Sequence, residues 1–335
     1  MVLRTSLRRP QSKCALWAMT AAVAAAISLG AQTARAENPV TQARATDIAR
    51  VHATLEQSAK LHLTNVQVGV LWARLASDLQ DETEFAQAES AYMRALSIFH
   101  KDPHGEADYA TTLGYLGSLY LVTSRYDEAE HCRREALEIR LRLGNPEALM
   151  LSYVQLAEVD LAKHRFKDVE ESAVEALHVY DGWTNPGIAG MKARVPALVA
   201  LSYARCYRDN CAEGLKNAEE AVSIAEASGA ANAALMPHAR LALGFAQWKT
   251  GSLEAADENL RHGVELMRTL TAPSDPLLLD AMNEYRMYLD ATHRKREARA
   301  IDMEIAKQMQ QWPHECSGCV VNVYALSGNP GLAVR

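Results

Sequence analysis

A block of about 42 residues recurs six times along the chain, and this recurrence constrains the fold more than any other feature of the sequence. In each block one residue is followed three positions later by a second, mostly small residue, and seven positions after that by a third. The clear triplets are Phe85/Ala88/Ala95, Tyr126/Ala129/Ala136 and Phe166/Val169/Ala176, and the weaker ones are Cys211/Gly214/Ala221, Leu253/Ala256/Gly263 and Lys295/Ala298/Ile305. Successive first residues lie 41, 40, 45, 42 and 42 positions apart. The chain is therefore predicted to be a stack of similar units.

Each block contains two stretches with helical periodicity. Ten residues before each triplet stands a mostly apolar residue, usually followed by a small one: Leu75, Leu116, Leu156, Leu201, Leu243 and Tyr285. Apolar residues around these positions recur every three or four residues, which places them on one helix face. Polar turns such as 123–125 separate the two stretches, and Pro103, Pro146, Pro186 and Pro276 fall between blocks. The pattern predicts an all-α chain of about six helix-turn-helix units.

The block sequence resembles the tetratricopeptide repeat (TPR), as shown by Leu116-Gly117 with Tyr120, Tyr126, Ala129 and Ala136, and its length resembles the 42-residue kinesin-light-chain type. This resemblance implies a right-handed superhelical solenoid over residues 65–310 with a concave inner wall. It weakens in the last block, where Arg286, Lys295 and Ile305 replace aromatic and small residues as in a solvent-facing cap. Residues 37–64 are expected to form an N-terminal capping helix, and 311–335 a tail with a short extended segment.

Residues 1–36 have the features of a secretory signal peptide. Four basic residues precede an Ala-rich apolar run over 14–31, and Ala34-Arg35-Ala36 provides a cleavage site before Glu37. We expect an exported protein, periplasmic or secreted, and a bacterial leader. An uncleaved leader that anchors the chain in a membrane is the alternative.

The charge of the chain argues against two classes of partner. Residues 1–36 contain five basic and no acidic residues, so their removal changes the net charge from −6 to −11. Nucleic acids and anionic lipids are bound by clustered Lys and Arg side chains. We therefore expect no nucleic-acid partner and no membrane association of the mature chain.

Catalytic signatures are missing from the sequence. It contains no G-x-S-x-G, H-E-x-x-H, G-x-x-x-x-G-K-[ST] or G-x-G-x-x-G motif. His100 and His104 flank Pro103 in an inter-block loop, where solvated side chains are a simpler interpretation than a metal site. The sequence predicts a non-enzymatic protein without cofactor or metal.

Five cysteines remain after the leader. Cys206 and Cys211 flank a predicted turn, and either a disulfide that closes this turn or two buried thiols fits the pattern. Cys132 is expected to be unpaired on a packed helix face. Cys316 and Cys319 form a C-x-x-C motif, for which a local disulfide is favoured because export permits disulfides. The alternative is an exported thiol-redox or metal-binding accessory protein that uses this motif.

The resemblance also implies a binding surface, because peptide ligands of such repeats lie along the wall formed by the first helices. Transfer by helical position gives Arg74, Ser77, Tyr115, Ser118, Gln155, Glu158, Tyr203, Tyr207, Phe245, Trp248, Asn283 and Met287. The Lys and Asn residues that hold a C-terminal carboxylate in part of the family are missing from this set. The four aromatic residues are candidate anchors for a protein or peptide partner, and ordinary packing between repeats is the alternative. Self-association through the end faces or the tail is a third possibility.

Overall fold

A computed structural model of the 335-residue chain describes residues 39–271 and 275–309. Within those ranges the chain forms thirteen α-helices and one 3₁₀-helix and contains no β-strand. The helices are α1 (Pro39–Glu56), α2 (Asn65–Asp81), α3 (Phe85–Phe99), α4 (Glu106–Val122), α5 (Tyr126–Leu143), α6 (Pro146–Ala162), α7 (Phe166–Asp181), α8 (Gly187–Tyr207), α9 (Cys211–Ala227), α10 (Met236–Lys249), α11 (Leu253–Leu270), α12 (Pro276–Ala291) and α13 (Lys295–Met309), with the 3₁₀-helix at Gly229–Leu235. The predicted leader and the Cys316/Cys319 motif lie outside the described residues.

The chain divides into two compact units, Met1–Gln57 and Ser58–Arg335. In the first unit the described residues form α1, which coincides with most of the predicted N-terminal helix but ends at Glu56. None of the described helices has the length and apolarity needed to cross a lipid bilayer.

The second unit is a solenoid of six helical hairpins, which pair α2 with α3 and continue in order to α12 with α13. The first residue of every triplet in the sequence is the first residue of the second helix of a hairpin: Phe85, Tyr126, Phe166, Cys211, Leu253 and Lys295. The second residues of the six triplets are buried. The sequence therefore predicted the fold class and the position of each hairpin correctly.

The turn inside each hairpin has the same backbone conformation in all six. Two residues before the second helix, the chain has a positive φ between 55° and 89°, at Thr83, Ser124, His164, Asp209, Gly251 and His293. The next N–H donates to a carbonyl five residues earlier, as from Glu84 to Leu79 (2.9 Å) and from Arg125 to Tyr120 (2.7 Å). This hydrogen bond satisfies a carbonyl at the end of the first helix. Only one of the six left-handed residues is glycine, although a side chain in this conformation costs about 1–2 kcal/mol.

Small residues allow the two helices of a hairpin to approach closely. A Cβ atom on Gly244 in α10 would lie 2.7 Å from Cγ and 2.9 Å from the backbone nitrogen of Leu260 in α11. A Cβ atom on Gly117 would lie 2.9 Å from Cγ of Arg133. The expectation that Ile305 faces solvent in a terminal cap is wrong, because its side chain is buried in the last hairpin, whereas Lys295 is exposed.

Neighbouring hairpins are linked by ion pairs at equivalent positions. The arginine before a second helix pairs with an acidic residue in the second helix of the preceding hairpin, as in Arg125–Glu89 and Arg165–Glu130 (both 2.8 Å). Arg294 pairs with Asp257 in the same way. These groups are about one third exposed or less, and pairs of this kind contribute up to about 1 kcal/mol each. They add to the apolar packing between hairpins rather than replace it.

Candidate functional site

Side chains from hairpins that are not adjacent meet on one side of the solenoid. The Tyr203 hydroxyl on α8, in the fourth hairpin, donates to the carboxylate of Glu284 on α12, in the sixth hairpin. Its oxygen lies 3.0 Å from Oε1 and 2.9 Å from Oε2. The first helix of the fifth hairpin, α10, packs between α8 and α12. We refer to the surface formed by these three first helices as the inner wall.

Aromatic rings form a continuous row that begins at Phe166 of α7 and crosses the inner wall to α12. Phe166 stacks on Tyr207 with ring centroids 4.3 Å apart, and Tyr207 lies 5.1 Å from Phe245. Trp248 lies 5.9 Å from both Phe245 and Tyr288 in edge-to-face contacts. Aromatic pairs at these separations attract one another. The row therefore joins four successive hairpins, from the third to the sixth.

The structure brings together the four aromatic residues that the sequence indicated, but it gives them different roles. Phe245 is only 1% exposed and lies beneath the surface, in contact with Tyr203 at 5.1 Å. Tyr207 is 40% exposed, and Tyr203 and Trp248 are partly exposed. Phe245 is thus a packing residue that supports the other three rings. Phe166 and Tyr288, which extend the row, were not predicted from the sequence.

Two carboxylates lie beside these rings, one helical turn apart on α12. Burial, against the lowering effect of the Tyr203 hydrogen bond and with a smaller contribution from the charge of Asp280, raises the pKa of Glu284 to about 8. Burial and the charge of Asp275 raise the pKa of Asp280 to about 7. Oδ1 of Asp280 is buried and receives no hydrogen bond from the residues that the structure describes. Both side chains nevertheless keep some contact with solvent.

Neither carboxylate forms an ion pair with a lysine, arginine or histidine of the described ranges. Lys249 lies beside the aromatic rings, with its ammonium 4.9 Å from the Trp248 ring centroid and 5.4 Å from that of Phe245. The sequence prediction missed Asp280 and Glu284 because it assigned Asn283 and Met287 to the wall. The spacing of Asp280 and Glu284 by one turn was the available signal.

Three other predicted wall residues have structural roles. Asn283 is buried, and its Oδ1 accepts a hydrogen bond from Nε of Arg286 at 3.1 Å. Gln155 is buried as well, and its backbone carbonyl accepts a hydrogen bond from Arg133. Glu158 is about half exposed and pairs with the same Arg133 at 3.0 Å. The prediction that Asn283 and Gln155 line the binding groove does not fit their positions, because both side chains are buried.

Arg74 and Tyr115 lie at the other end of the solenoid, away from the aromatic row. Together with Ser77 and Asp108 they line a cavity of about 300 Å³ between α2 and α4. Tyr115 is exposed and stacks on Tyr92 with ring centroids 6.5 Å apart. The predicted wall residues therefore belong to two separate places on the solenoid.

Three cysteines lie within the residues that the structure describes. Cys206 and Cys211 flank the turn between α8 and α9, with Cα atoms 3.9 Å apart and adjacent sulfur atoms. Cys132 is buried and unpaired, as predicted, and burial raises the pKa of its thiol to about 11. In the described part of the chain, no group of three His, Cys, Asp or Glu side chains is arranged to hold a metal ion.

No protein-family model and no curated protein matches this chain. Solved structures do match it, at low sequence identity. The apo form of RapI has a TM-score of 0.64 and 10% identity, and the match covers 83% of this chain and 93% of RapI. Aspartyl phosphate phosphatase F from Bacillus subtilis has a TM-score of 0.60 and 11% identity, with coverage of 81% and 74%. NprR in complex with its cognate peptide NprX has a TM-score of 0.54 and 14% identity, with coverage of 80% and 79%.

These similarities concern the fold. They confirm that the chain forms a tetratricopeptide-type helical repeat solenoid, as the resemblance of its sequence implied. Among the structural neighbours are a protein named as a phosphatase and a protein solved with a bound peptide. The fold is thus compatible with more than one activity. A function for this chain depends on the side chains of the inner wall rather than on the fold alone.

Proposed function

We propose that this protein is a non-enzymatic interaction module that binds a peptide or protein segment along the inner wall. The main support for this proposal is the aromatic row. In it the partly exposed rings of Tyr207 and Trp248 pack against the buried ring of Phe245. Tyr and Trp side chains held in this manner are typical anchors for a bound chain, since they bury much area at a small cost in entropy. The structural neighbour NprR was solved with a bound peptide, which supports the same use of this fold.

The charge of the wall also favours a polypeptide ligand over nucleic acid. Asp280 and Glu284 put carboxyl groups on the wall, whereas phosphate groups are bound by clustered lysine and arginine side chains. Catalysis is not proposed, because the sequence contains no catalytic signature and the carboxylates stand next to aromatic rings rather than a nucleophile. The phosphatase activity in the name of the Bacillus subtilis neighbour is a property of that protein and is not transferred to this chain.

The proposal can be tested by selection of displayed random peptides on the immobilised full chain. We expect the selected peptides to lose at least tenfold in affinity for a Tyr207→Ala/Trp248→Ala double variant, since each anchor contributes about 1–2 kcal/mol or more. The matched control is Tyr115→Ala, an exposed aromatic residue outside the row. Equal binding to the double variant and the wild type, with both folded by circular dichroism, would show that the row is not the binding surface.

We further propose that the protein is exported and that Cys206 and Cys211 form a disulfide. The leader-like residues 1–36 and the adjacent sulfur atoms support this view, since disulfides persist in oxidising compartments. Amino-terminal sequencing of the protein recovered from outside the cytoplasm should begin at Glu37. Alkylation without reductant should leave both cysteines unmodified, and modification of both would refute the disulfide.

A further inference from the structure

The carboxylates of Asp280 and Glu284 lie on the inner wall without a counter-ion from the described part of the chain. Both lie on α12, one turn apart, and both are largely enclosed by protein, where a negative charge without a partner is unfavourable. The hydrogen bond from Tyr203 satisfies part of Glu284, but Oδ1 of Asp280 receives none within the described ranges. When they are ionised, the two carboxylates carry a negative charge that no lysine, arginine or histidine of the described ranges balances in an ion pair.

The surroundings of the pair fit a cation with a flat or elongated stem. Tyr203 approaches Glu284 directly, and Tyr207 is near enough for the charge of Glu284 to contribute to the raised pKa of its hydroxyl. Phe245 holds both tyrosines in place from below. Aromatic faces attract lysine and arginine side chains, and carboxylates accept hydrogen bonds from both.

We propose that the pair Asp280 and Glu284 is a subsite for one lysine or arginine side chain of the peptide bound on the inner wall. The cation lies between the two carboxylates, and its stem packs on Tyr203 and Tyr207. This inference rests on the proposed function. It adds that the bound peptide must contain a lysine or an arginine. The cation supplies the counter-charge that the described residues do not provide, so its binding favours the ionised form of both carboxylates.

The proposal specifies that the positive charge belongs to a side chain of the peptide and not to its amino terminus. A side-chain cation is placed along an extended segment with residues on either side, which the aromatic row can contact. A free amino terminus would carry the same charge but would end the segment at α12. The two sources are separated by peptides with acetylated and with free amino termini.

The test uses positional-scanning libraries of hexapeptides with acetylated amino termini and amidated carboxyl termini, assayed on the full chain. At one position we expect lysine or arginine to bind at least tenfold better than the uncharged analogues norleucine or citrulline. In an Asp280→Asn/Glu284→Gln variant this preference should fall to within about twofold. The control variant is Glu254→Gln/Glu258→Gln, which removes two exposed glutamates one turn apart on α11 and should keep the preference.

Each outcome of this experiment decides the matter. Peptide binding without preference for a cation, or a preference retained by the Asp280→Asn/Glu284→Gln variant, overturns the subsite and leaves the peptide-binding function standing. A preference seen only with free amino termini overturns it in favour of terminal recognition. Failure of the wild type to select any peptide overturns the proposed function and the subsite together. Thermal melts show whether the variant is folded, and it should be at least as stable as the wild type.

Discussion

Replacement of Glu284 by glutamine should change how the stability of the protein depends on pH. The pKa of this carboxyl is raised from 4.5 to about 8 in the folded chain, mainly by burial. Between these two values the folded chain binds the proton and the unfolded chain does not, so the free energy of unfolding falls as the pH rises. The neutral glutamine has no such pH dependence and still offers an oxygen to the Tyr203 hydroxyl.

The size of the effect follows from the interval between the two pKa values. Each pKa unit corresponds to about 1.4 kcal/mol, so the interval sets an upper limit of about 5 kcal/mol above pH 8. Glu284 retains some contact with solvent, which weakens the effect of burial. We therefore expect the variant to exceed the wild type by about 2 kcal/mol at pH 9, or about 4–8 °C in Tm. Below pH 4.5 the two proteins should be equally stable.

The assay is a series of thermal melts by circular dichroism from pH 4 to pH 9, at constant ionic strength. Asp280 contributes its own pH dependence to both proteins, so the difference between the two curves reports on Glu284. The control is Glu258→Gln, which changes an exposed glutamate on α11. Parallel curves for the wild type and the Glu284→Gln variant, or a variant that is less stable at pH 9, would refute the assignment of a buried and uncompensated carboxylate.

Three further predictions concern packing and cross-linking in the hairpins. Gly244→Ala should cost about 1–3 kcal/mol in urea unfolding, because its Cβ has no space, whereas Gly182→Ala at an open helix end should change stability by less than about 1 kcal/mol. Arg133→Met should cost about 2–3 kcal/mol, because the buried guanidinium donates to a backbone carbonyl of the next hairpin, and an unchanged melting curve would contradict this role. On reduction, the wild type should lose about 2 kcal/mol more than a Cys206→Ser/Cys211→Ser variant, which is the expected contribution of a short disulfide loop. Equal losses would speak against that disulfide.

The sequence determined the helical hairpins well because small residues mark where helices come into contact. The triplet that begins at Phe85 or Tyr126 defines the first residue of a second helix, since only a small side chain fits three positions later. The left-handed turn residues were not predictable, because Gly251 alone among the six reveals the conformation by its residue type.

The candidate site was predicted less completely than the fold. Which residues of a first helix face the wall depends on the rotation of that helix, and an error of one position replaces Glu284 with Asn283. The contact between Tyr203 and Glu284 joins residues two hairpins apart, which depends on how the hairpins curve together. No local pattern in the sequence encodes that curvature, so the acidic pair became visible only in the structure.

Because the six hairpins share one turn conformation, their number can change without altering the turns that remain. Because each hairpin closes with the same backbone hydrogen bond, a gene that gains or loses one such unit still encodes a chain whose remaining joints are intact. A unit inserted between the fourth and sixth hairpins would shift α12 by roughly one helix spacing, about 10 Å, and would separate Tyr203 from Glu284. Duplication of a unit can thus alter which ligand is accepted while every residue of the inner wall is retained.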